Sequence, residues 1–464
     1  MSNTITKKKI INTKQSYNVM NSERIKPEEV LNTLRKHMLV DGIDLVVDLK
    51  KSKGTYLYDS RKKKNYLDMF SFVASNPVGM NHPKMNNPEF IEHIGRIALS
   101  KPSNSDIYCM EMAEFVETFF DIAVPSYFKY SFFIEGGALA IENALKTAFD
   151  WKIKKNFKKG FRTEKGTQVI HFKLAFHGRT GYTMSLTNTD PVESIKTALY
   201  PKFKWPRITA PIIKFPLNEN NLDEVIKLEE QAVKEIKNAV VENKDDIACL
   251  IIEPIQGEGG DNHFRKEFFE KLRTICEENE ILFILDEVQT GLGMTGKWWA
   301  HQHFVQPDII AFGKKSQVCG ILVTDKIDDI ENNAFHEPSR LNSTWGGNLV
   351  DMVRFKKYLE IIKEEDLVEN AKINGEYLLT KLNELENKYP KLVSNTRGRG
   401  LFCAMDLPDG GKRDKLREKI FNNNVILLGS GISTIRFRPP LNITKEQINE
   451  GVSVIDNCLK DMQV

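Results

Sequence analysis

The chain has 464 residues, of which 41% are hydrophobic and 28% are charged, a composition typical of a globular protein with a large buried core. Its 66 lysines and arginines against 63 acidic residues leave a formal net charge of +3, which argues against nucleic acid as the main partner, because nucleic-acid-binding proteins carry a marked basic excess. The six cysteines form no C-x-x-C pair, and no apolar run approaches a membrane span of about 18 residues. We therefore expect a cytoplasmic protein of roughly two or three domains, with no metal cluster and no membrane segment.

The first part of the chain is predicted to be peripheral. Residues 1–22 are polar and Lys-rich and lack the apolar core of a secretory signal, which indicates a flexible tail. A helical pattern covers Lys26–Leu39, where an early proline suits a helix start. From Ile43 to Met69 the pattern is strand-like and broken by turn residues, which predicts antiparallel strands.

The middle of the chain alternates between short apolar runs and helical patterns. The runs show little alternation of polar and apolar residues, which is typical of strands buried on both faces of a parallel sheet. A buried helix could produce any one run, but four runs separated by helical patterns fit an α/β domain better. The predicted strands are Val169–Phe172, Ala248–Ile252, Ile281–Leu285 and Ile309–Phe312, and the predicted helices are Ala138–Trp151, Leu222–Val241 and Lys266–Asn279.

After Trp345 the pattern changes to that of an α+β lobe. A long helical pattern with charged faces extends through Tyr389, and another helix is predicted over Lys445–Met462. The short strands predicted between them are Leu401–Asp406, Val425–Leu428 and Thr434–Phe437. The predicted domain organisation is a tail over 1–22, the N-terminal part of a small domain over 23–85, a large domain over 86–345 and the C-terminal part of the small domain over 346–464.

One glycine-rich segment matches two phosphate-binding patterns superficially. Gly291-Leu-Gly-Met-Thr-Gly296 reads as G-x-G-x-x-G and, with the lysine that follows, nearly as a P-loop. A dinucleotide fold needs its glycines directly at a strand end, and here Asp286–Thr290 intervene. A P-loop needs a Ser or Thr after its lysine to bind magnesium, and this chain has Trp298. We therefore interpret the segment as a flexible loop near a site.

Two charged residues follow predicted buried strands, where catalytic groups gather in an α/β sheet. Considered alone, Asp286 is explained as a turn cap and Lys314 as a surface lysine. The adjacent Lys315 is a second candidate for any role given to Lys314. Together they fit an electron-sink cofactor, which needs a lysine for a Schiff base and an anion beside its ring nitrogen. Opposite charges about 4 Å apart attract by about 4 kcal/mol at an effective dielectric of about 20, enough to keep a pyridine ring protonated.

A phosphate site and an aromatic face are also available. Gly136 and Gly137 directly precede the helical pattern that starts at Ala138, where free amides and the helix dipole favour an anion. Phe176 follows a predicted strand and could stack on a ring, although a core position explains it equally well.

With these motifs in this order, the chain resembles the class III (ω-amino acid) aminotransferases, which are pyridoxal 5′-phosphate enzymes of fold type I. The resemblance extends from about Gly42 to the C-terminus. It implies a large domain around a mostly parallel seven-stranded sheet, a smaller α+β domain from both chain ends, and a homodimer with active sites at the subunit interface. The motifs that carry it are Asn81-His-Pro, Gly136-Gly-Ala, Phe176-His-Gly, Glu253-Pro-Ile-Gln-Gly-Glu-Gly259, Asp286-Glu-Val-Gln-Thr-Gly291, Pro307-Asp-Ile, Gly313-Lys314 and Arg436-Phe-Arg-Pro-Pro440.

The resemblance also implies residue roles. Lys314 would form the Schiff base, Asp286 would pair with the pyridinium nitrogen, and Lys315 would be a bystander. Most of the family has Ser-Gly-Thr at the phosphate turn, whereas this chain has Gly-Gly-Ala, which leaves the phosphate to backbone amides. The implied cofactor-binding residues are Gly137 and Ala138 at the phosphate, Phe176 and Val288 on the two ring faces, His177, Gln289 near the ring hydroxyl, and Thr344 from the other subunit.

The phosphate-turn variant, with the segments Phe312–Gly320 and Arg340–Trp345, resembles the branch of the family that transfers the ε-amino group of L-lysine to 2-oxoglutarate. The implied products are glutamate and 2-aminoadipate 6-semialdehyde, which cyclises to piperideine-6-carboxylate. Another amino donor (ornithine, acetylornithine or 4-aminobutyrate) and a non-catalytic scaffold of the same fold are the alternatives. The implied substrate-binding residues are Arg179 for the distal carboxylate, Arg436 for the α-carboxylate of 2-oxoglutarate, Glu258 as a gate that neutralises Arg436 while lysine is bound, and Asn342 nearby.

Overall fold

The structure is a computed structural model that describes residues 25–189 and 196–463. The predicted tail over residues 1–22 lies outside the described residues. The strands are β1 (Tyr56–Asp59), β2 (Lys64–Asp68), β3 (Phe128–Ile134), β4 (Gln168–Phe172), β5 (Arg207–Ile208), β6 (Ile247–Ile252), β7 (Leu282–Asp286), β8 (Ile309–Phe312), β9 (Cys319–Thr324), β10 (Ser394–Arg399), β11 (Phe402–Asp406), β12 (Val425–Ile426), β13 (Leu428–Ser430) and β14 (Thr434–Phe437).

The helices connect these strands and cover the sheets. One short element is left-handed, because all four of its residues have positive φ. The helices are α1 (Val30–Arg35), the left-handed turn α2 (Ser71–Ala74), α3 (Pro88–Ala98), α4 (Met110–Ile122), α5 (Gly137–Lys158), α6 (Thr183–Leu186), α7 (Glu219–Glu242), α8 (Lys266–Glu278), α9 (Leu349–Glu364), α10 (Leu367–Lys388), α11 (Gly410–Asn422) and α12 (Lys445–Lys460).

The largest sheet has seven strands in the order β3-β9-β8-β7-β6-β4-β5. The strands from β8 to β5 pair in parallel, and β9 runs antiparallel to both β3 and β8. Every residue of β6, β7 and β8 is buried, because successive side chains enter two apolar clusters on opposite faces of the sheet. The predicted fold, with a mostly parallel seven-stranded sheet, is therefore confirmed.

The four predicted apolar strands correspond to β4, β6, β7 and β8, with ends shifted by at most one residue. Their lack of alternation reflects burial on both faces. β3 and β9, which complete the sheet on its antiparallel side, and β5 at the opposite edge are not among the predicted strands.

Two smaller sheets bring the chain ends together. β2 pairs in parallel with β12, so a strand near the N-terminus and a strand near the C-terminus share a three-stranded sheet, β1-β2-β12. The strands β10-β11-β14-β13 form a separate four-stranded sheet. This arrangement matches the expected lobe built from both chain ends, and its boundaries stay a prediction.

Three element predictions are wrong in detail. The strand predicted over Val425–Leu428 is two strands, because β12 pairs with β2 whereas β13 pairs with β14 in the other sheet. The helical pattern up to Tyr389 is interrupted at Asp366, whose φ of 49° is left-handed, so it forms α9 and α10. The first predicted helix is confined to a 3-10 turn over Pro27–Glu29 followed by α1.

Among the described residues, no helix combines the length and the apolar character needed to cross a membrane.

Candidate active site

Adjacent strands of the large sheet deliver their charged residues to one edge. Because β4, β6, β7 and β8 are parallel neighbours, their carboxyl ends meet there, as is usual for sites in α/β sheets. Glu253 follows β6, Asp286 ends β7 and Lys314 follows β8. The cavity at this edge has a volume of about 490 Å³ and is lined by Gly137, Ala138, Phe176, His177, Gly178, Arg179, Glu253, Glu258, Asp286, Val288, Gln289 and Lys314.

Asp286 is buried, and its carboxylate is held from two sides. Oδ2 lies 2.8 Å from Nδ1 of His177, and Oδ1 accepts a 3.0 Å hydrogen bond from the Val288 amide. The His177 amide in turn donates to Thr187 Oγ1 at 3.0 Å. This chain of contacts orients a carboxylate toward the cavity, where it can meet a cation or an N–H group.

The amino end of α5 forms another wall of the cavity. Gly137 and Ala138 are the first residues of this 22-residue helix, so their amides have no partner one turn earlier and the helix dipole favours an anion there. Gly178 packs so closely on this end that a Cβ at its position would lie 2.4 Å from Cβ of Ala138. Its φ of +117° is also one that L side chains rarely adopt, so a glycine is required.

Lys314 lies on a strained backbone at the cavity. Its φ of 56° is left-handed, a conformation that costs a non-glycine residue free energy. Burial and then the nearby Arg436 lower the pKa of the Lys314 amine to about 8, and Glu258 offsets part of this shift. About a tenth of such an amine is uncharged at pH 7, far more than for an ordinary lysine, and a nucleophile or base must be uncharged.

Lys315 is not a surface residue. It is 2% exposed, and its Nζ donates to the carbonyl oxygens of Gln289 at 2.9 Å and Ala74 at 3.3 Å. Burial holds the pKa of this amine well below its ordinary value. Lys315 therefore links the left-handed turn α2 to the loop that carries Gln289, and Lys314 is the lysine that lines the cavity.

Arg436 and Glu258 form an ion pair beside Lys314. Nη2 of Arg436, on β14, donates to Oε2 of Glu258 at 2.7 Å. Burial would raise the pKa of the Glu258 carboxyl, but Arg436 and then Lys314 make the net shift downward. The Arg436 side chain is 2% exposed, and its Nε and Nη1 have no hydrogen-bond partner among residues 25–189 and 196–463. Arg436 thus has donors left for a second anion.

Glu253 also lines the cavity, although it is not among the predicted site residues. Its Oε1 accepts from the Phe176 amide and its Oε2 from the Gly257 amide, both at 2.9 Å. Burial raises the pKa of this carboxyl to about 7, with His177 opposing and Asp286 adding to the shift. Its position directly after a buried strand, the same signal that identified Asp286, could have identified it.

Arg179 lies at the exposed rim of the cavity, and two predicted site residues lie outside it. The guanidinium of Arg179 lies 5.6 Å from the Phe176 ring centroid. Thr344 and Asn342 do not line the cavity of their own chain. Asn342 lines a separate depression, and the Thr344 carbonyl accepts from Ser103 Oγ at 2.6 Å.

The cavity fits pyridoxal 5′-phosphate. It offers an amine, a buried carboxylate, a helix amino end for a phosphate and apolar groups for a ring. A Cβ at Gly137 would lie 3.0 Å from Cγ1 of Val288, so the phosphate end and the apolar wall adjoin. Gln289 Oε1 and His177 Nε2 are buried without a hydrogen-bond partner within the described part of the chain, and a bound group can use such atoms.

Comparisons with known proteins agree with this geometry. A family model described as Aminotransferase class-III matches residues 40–459. An L-lysine-epsilon aminotransferase of Mycobacterium tuberculosis is 49% identical over 93% of this chain and 96% of its own length. Another of that name, from Amycolatopsis lactamdurans, is 45% identical over 92% and 94%. The solved structure of a lysine aminotransferase from M. tuberculosis superposes with a TM-score of 0.91 at 48% identity, covering 94% of this chain and 99% of that one.

The lowered pKa of Lys314 predicts when its amine reacts in the cofactor-free chain. Because the folded chain holds this proton less tightly than an ordinary lysine with a pKa of 10.5, the amine is charged and unreactive below about pH 8 and neutral above it. Competitive acylation followed by mass spectrometry should give a midpoint near pH 8 for Lys314. The exposed Lys266 serves as the reference, and identical midpoints for the two lysines would contradict the prediction.

Proposed function

This chain belongs to the class III aminotransferases, and we propose on that basis that it transfers the ε-amino group of L-lysine to 2-oxoglutarate. The products are glutamate and 2-aminoadipate 6-semialdehyde, which can cyclise to piperideine-6-carboxylate. The relatives named as lysine aminotransferases support this substrate. The observation that carries the proposal is the Arg436–Glu258 pair beside Lys314, because it allows one site to accept a carboxylate in one half-reaction and an uncharged carbon chain in the other.

The enzyme depends on pyridoxal 5′-phosphate. When bound, this cofactor supplies an electron-withdrawing ring that stabilises the negative charge developing at the substrate carbon. We propose that Asp286 keeps the ring nitrogen protonated, that Phe176 and Val288 contact the ring faces, and that His177 orients Asp286. Gln289 is assigned to the ring hydroxyl, and the amides of Gly137 and Ala138 to the phosphate.

Lys314 is the proposed covalent anchor and proton carrier. Its Nζ takes a proton from the substrate carbon and returns one during each half-reaction, which requires an amine that can be neutral near pH 7. The lowered pKa of Lys314 supports this role. Nζ of Lys315 donates hydrogen bonds to two carbonyl oxygens, so the proposed role of this lysine is structural.

The two half-reactions need different charges at the same place. With lysine bound, Glu258 neutralises Arg436, so the aliphatic chain does not face a buried unpaired cation. With 2-oxoglutarate bound, Glu258 moves aside and Arg436 binds the α-carboxylate with two donors. Nε and Nη1 of Arg436 have no partner among the described residues, and once Glu258 moves aside Nη2 can form a two-donor fork with either of them, which supports this second state. The exposed Arg179 is assigned to the distal carboxylate, which both substrates carry.

A homodimer is the proposed functional unit, with Thr344 and Asn342 of each protomer completing the partner's site. Support comes from their position outside their own chain's cavity and from an exposed apolar surface on adjoining segments. The apolar residues exposed on these segments are Leu99, Ile107, Tyr108, Met110 and Trp345. We also propose a cytoplasmic location, which is supported by six free cysteine thiols.

Replacing Lys314 tests the anchor. Lys314→Ala should abolish glutamate formation from lysine and 2-oxoglutarate, together with the visible absorbance of the covalently held cofactor, because no other amine lines the cavity within the described residues. Lys315→Met, the matched control, should keep the absorbance. The opposite pattern would show that the wrong lysine was assigned. If the enzyme turned over ornithine or 4-aminobutyrate faster than lysine, the assignment of lysine as the amino donor would be refuted.

Replacing Glu258 tests the gate. Glu258→Ala leaves Arg436 charged and unpaired in the lysine complex, so single-turnover measurements should show the lysine half-reaction slowed about tenfold or more, equivalent to about 1.4 kcal/mol. The glutamate half-reaction should change much less. Glu258→Gln keeps the size of the side chain and should behave in the same way. Equal slowing of both half-reactions would reject the gate.

Mixed dimers test the shared site. A Lys314→Ala protomer paired with a Thr344→Ala protomer contains one site with an intact Lys314 and an intact Thr344 only if Thr344 acts on the partner. Co-refolding equal amounts should then restore about a quarter of wild-type sites, because random pairing gives half mixed dimers. If Thr344 acts on its own chain, mixing should restore nothing beyond the sum of the two variants.

A further inference from the structure

Glu253 connects two loops that carry different parts of the site. It directly follows β6 and is 4% exposed. One carboxylate oxygen accepts the amide of Phe176, in the loop after β4, and the other accepts the amide of Gly257, next to Glu258. A single side chain therefore contacts both the segment that stacks on the cofactor ring and the segment that holds the gate.

The two loops also pack directly on each other. Nε2 of Gln256 donates to the Lys173 carbonyl at 2.8 Å. A Cβ at Gly259 would lie 2.1 Å from the carbonyl oxygen of Leu174, so the backbones are in close contact. A Cβ at Gly257 would lie 2.6 Å from Oε1 of Gln289, which brings the turn against the loop after β7 as well. A displacement of the Gly257 turn would thus reach both neighbouring loops.

The hydrogen-bond pattern requires that both terminal atoms of the Glu253 side chain act as acceptors, because each faces a backbone N–H. A carboxylate has two acceptor oxygens and satisfies both amide donors. A glutamine has one acceptor and one donor group, so one N–H would face another N–H in a buried place. Such an unmade hydrogen bond costs more than the loss of an exposed one, because water cannot replace the missing partner.

We propose that Glu253 is a positioning residue that holds the Phe176 loop and the Glu258 turn at a fixed separation, and so couples cofactor binding to the choice between substrates. Glu253 acts through Phe176 and Glu258. The part concerning the choice between substrates rests on the proposed function, whereas the part concerning cofactor binding needs only pyridoxal 5′-phosphate.

Glu253→Gln is the test, because it preserves size and removes one acceptor. Titration of the cofactor-free protein with pyridoxal 5′-phosphate should show an affinity loss of about tenfold or more. Single-turnover rates should show a change of about threefold or more in the ratio of the lysine to the glutamate half-reaction. A merely structural residue would lower the unfolding temperature without moving that ratio.

Glu386→Gln is the matched control. Glu386 lies on α10, where its two oxygens also accept one backbone amide each, from Asn395 at 3.2 Å and Thr396 at 3.0 Å. This variant should alter thermal unfolding and leave both the cofactor affinity and the half-reaction ratio within about twofold of wild type. Equal loss of cofactor affinity in the two variants would overturn the proposal, as would wild-type affinity in Glu253→Gln.

A second variant keeps the proposal testable if Glu253→Gln does not fold. Glu253→Asp retains the charge but is one methylene shorter, so it can reach one amide well and the other poorly. A loss of cofactor affinity of about threefold or more relative to wild type supports the positioning role of Glu253, and wild-type affinity rejects it. A wild-type enzyme that does not turn over lysine would refute the proposed substrate, and the affinity measurement would remain valid.

Discussion

The parallel pairing of β4, β6, β7 and β8 is the constraint on which the site depends. In this pairing Asp286 lies opposite Ala311 and Ile252 lies opposite Leu285, so the three strands β6, β7 and β8 end at nearly the same level. Whatever residue follows each strand is therefore brought to one edge. The crossover helices that parallel strands require begin at this edge, which is how the amino end of α5, directly after β3, comes to face a lysine and a carboxylate.

Burial of charge is the second common feature of the site. A buried charge is costly unless it is paired. Here Asp286 pairs with His177 and Arg436 with Glu258, and the pKa of the buried Lys314 amine is lowered. Behind Arg436, the fully buried Arg438 donates to Asp261 at 2.8 Å and lies 3.3 Å from the centroid of the Phe402 ring. Arg438 is thus already paired, whereas Arg436 pairs with Glu258, whose carbonyl oxygen accepts from the Gly431 amide at 3.0 Å. Glu258, the proposed gate, thus joins the loop after β6 to the β13–β14 hairpin.

A site residue could be predicted from the sequence only where the neighbouring residues in the chain indicate its position. Asp286 and Lys314 could be proposed as site residues because Asp286 directly follows an apolar run and Lys314 follows another after one glycine, and the position after such a strand already indicates a site. The burial of Lys315 could not be read in the same way, since it results from a turn in which Lys314 has a positive φ and the next side chain enters the interior. Glu253 carried the same strand-end signal as Asp286, but its role depends on two amides that approach it from distant loops.

By itself the sequence determined the α/β class and the buried parallel strands, and it singled out the lysine and the carboxylate proposed for the site, because periodicity and residue order are properties of short segments. Only the tertiary structure decided which strands are neighbours, that β2 and β12 join the chain ends, and that Arg436 meets Glu258 across 178 positions of sequence. Such contacts arise from the packing of whole elements against one another. A pattern within one segment contains no information about which distant segment will cover it.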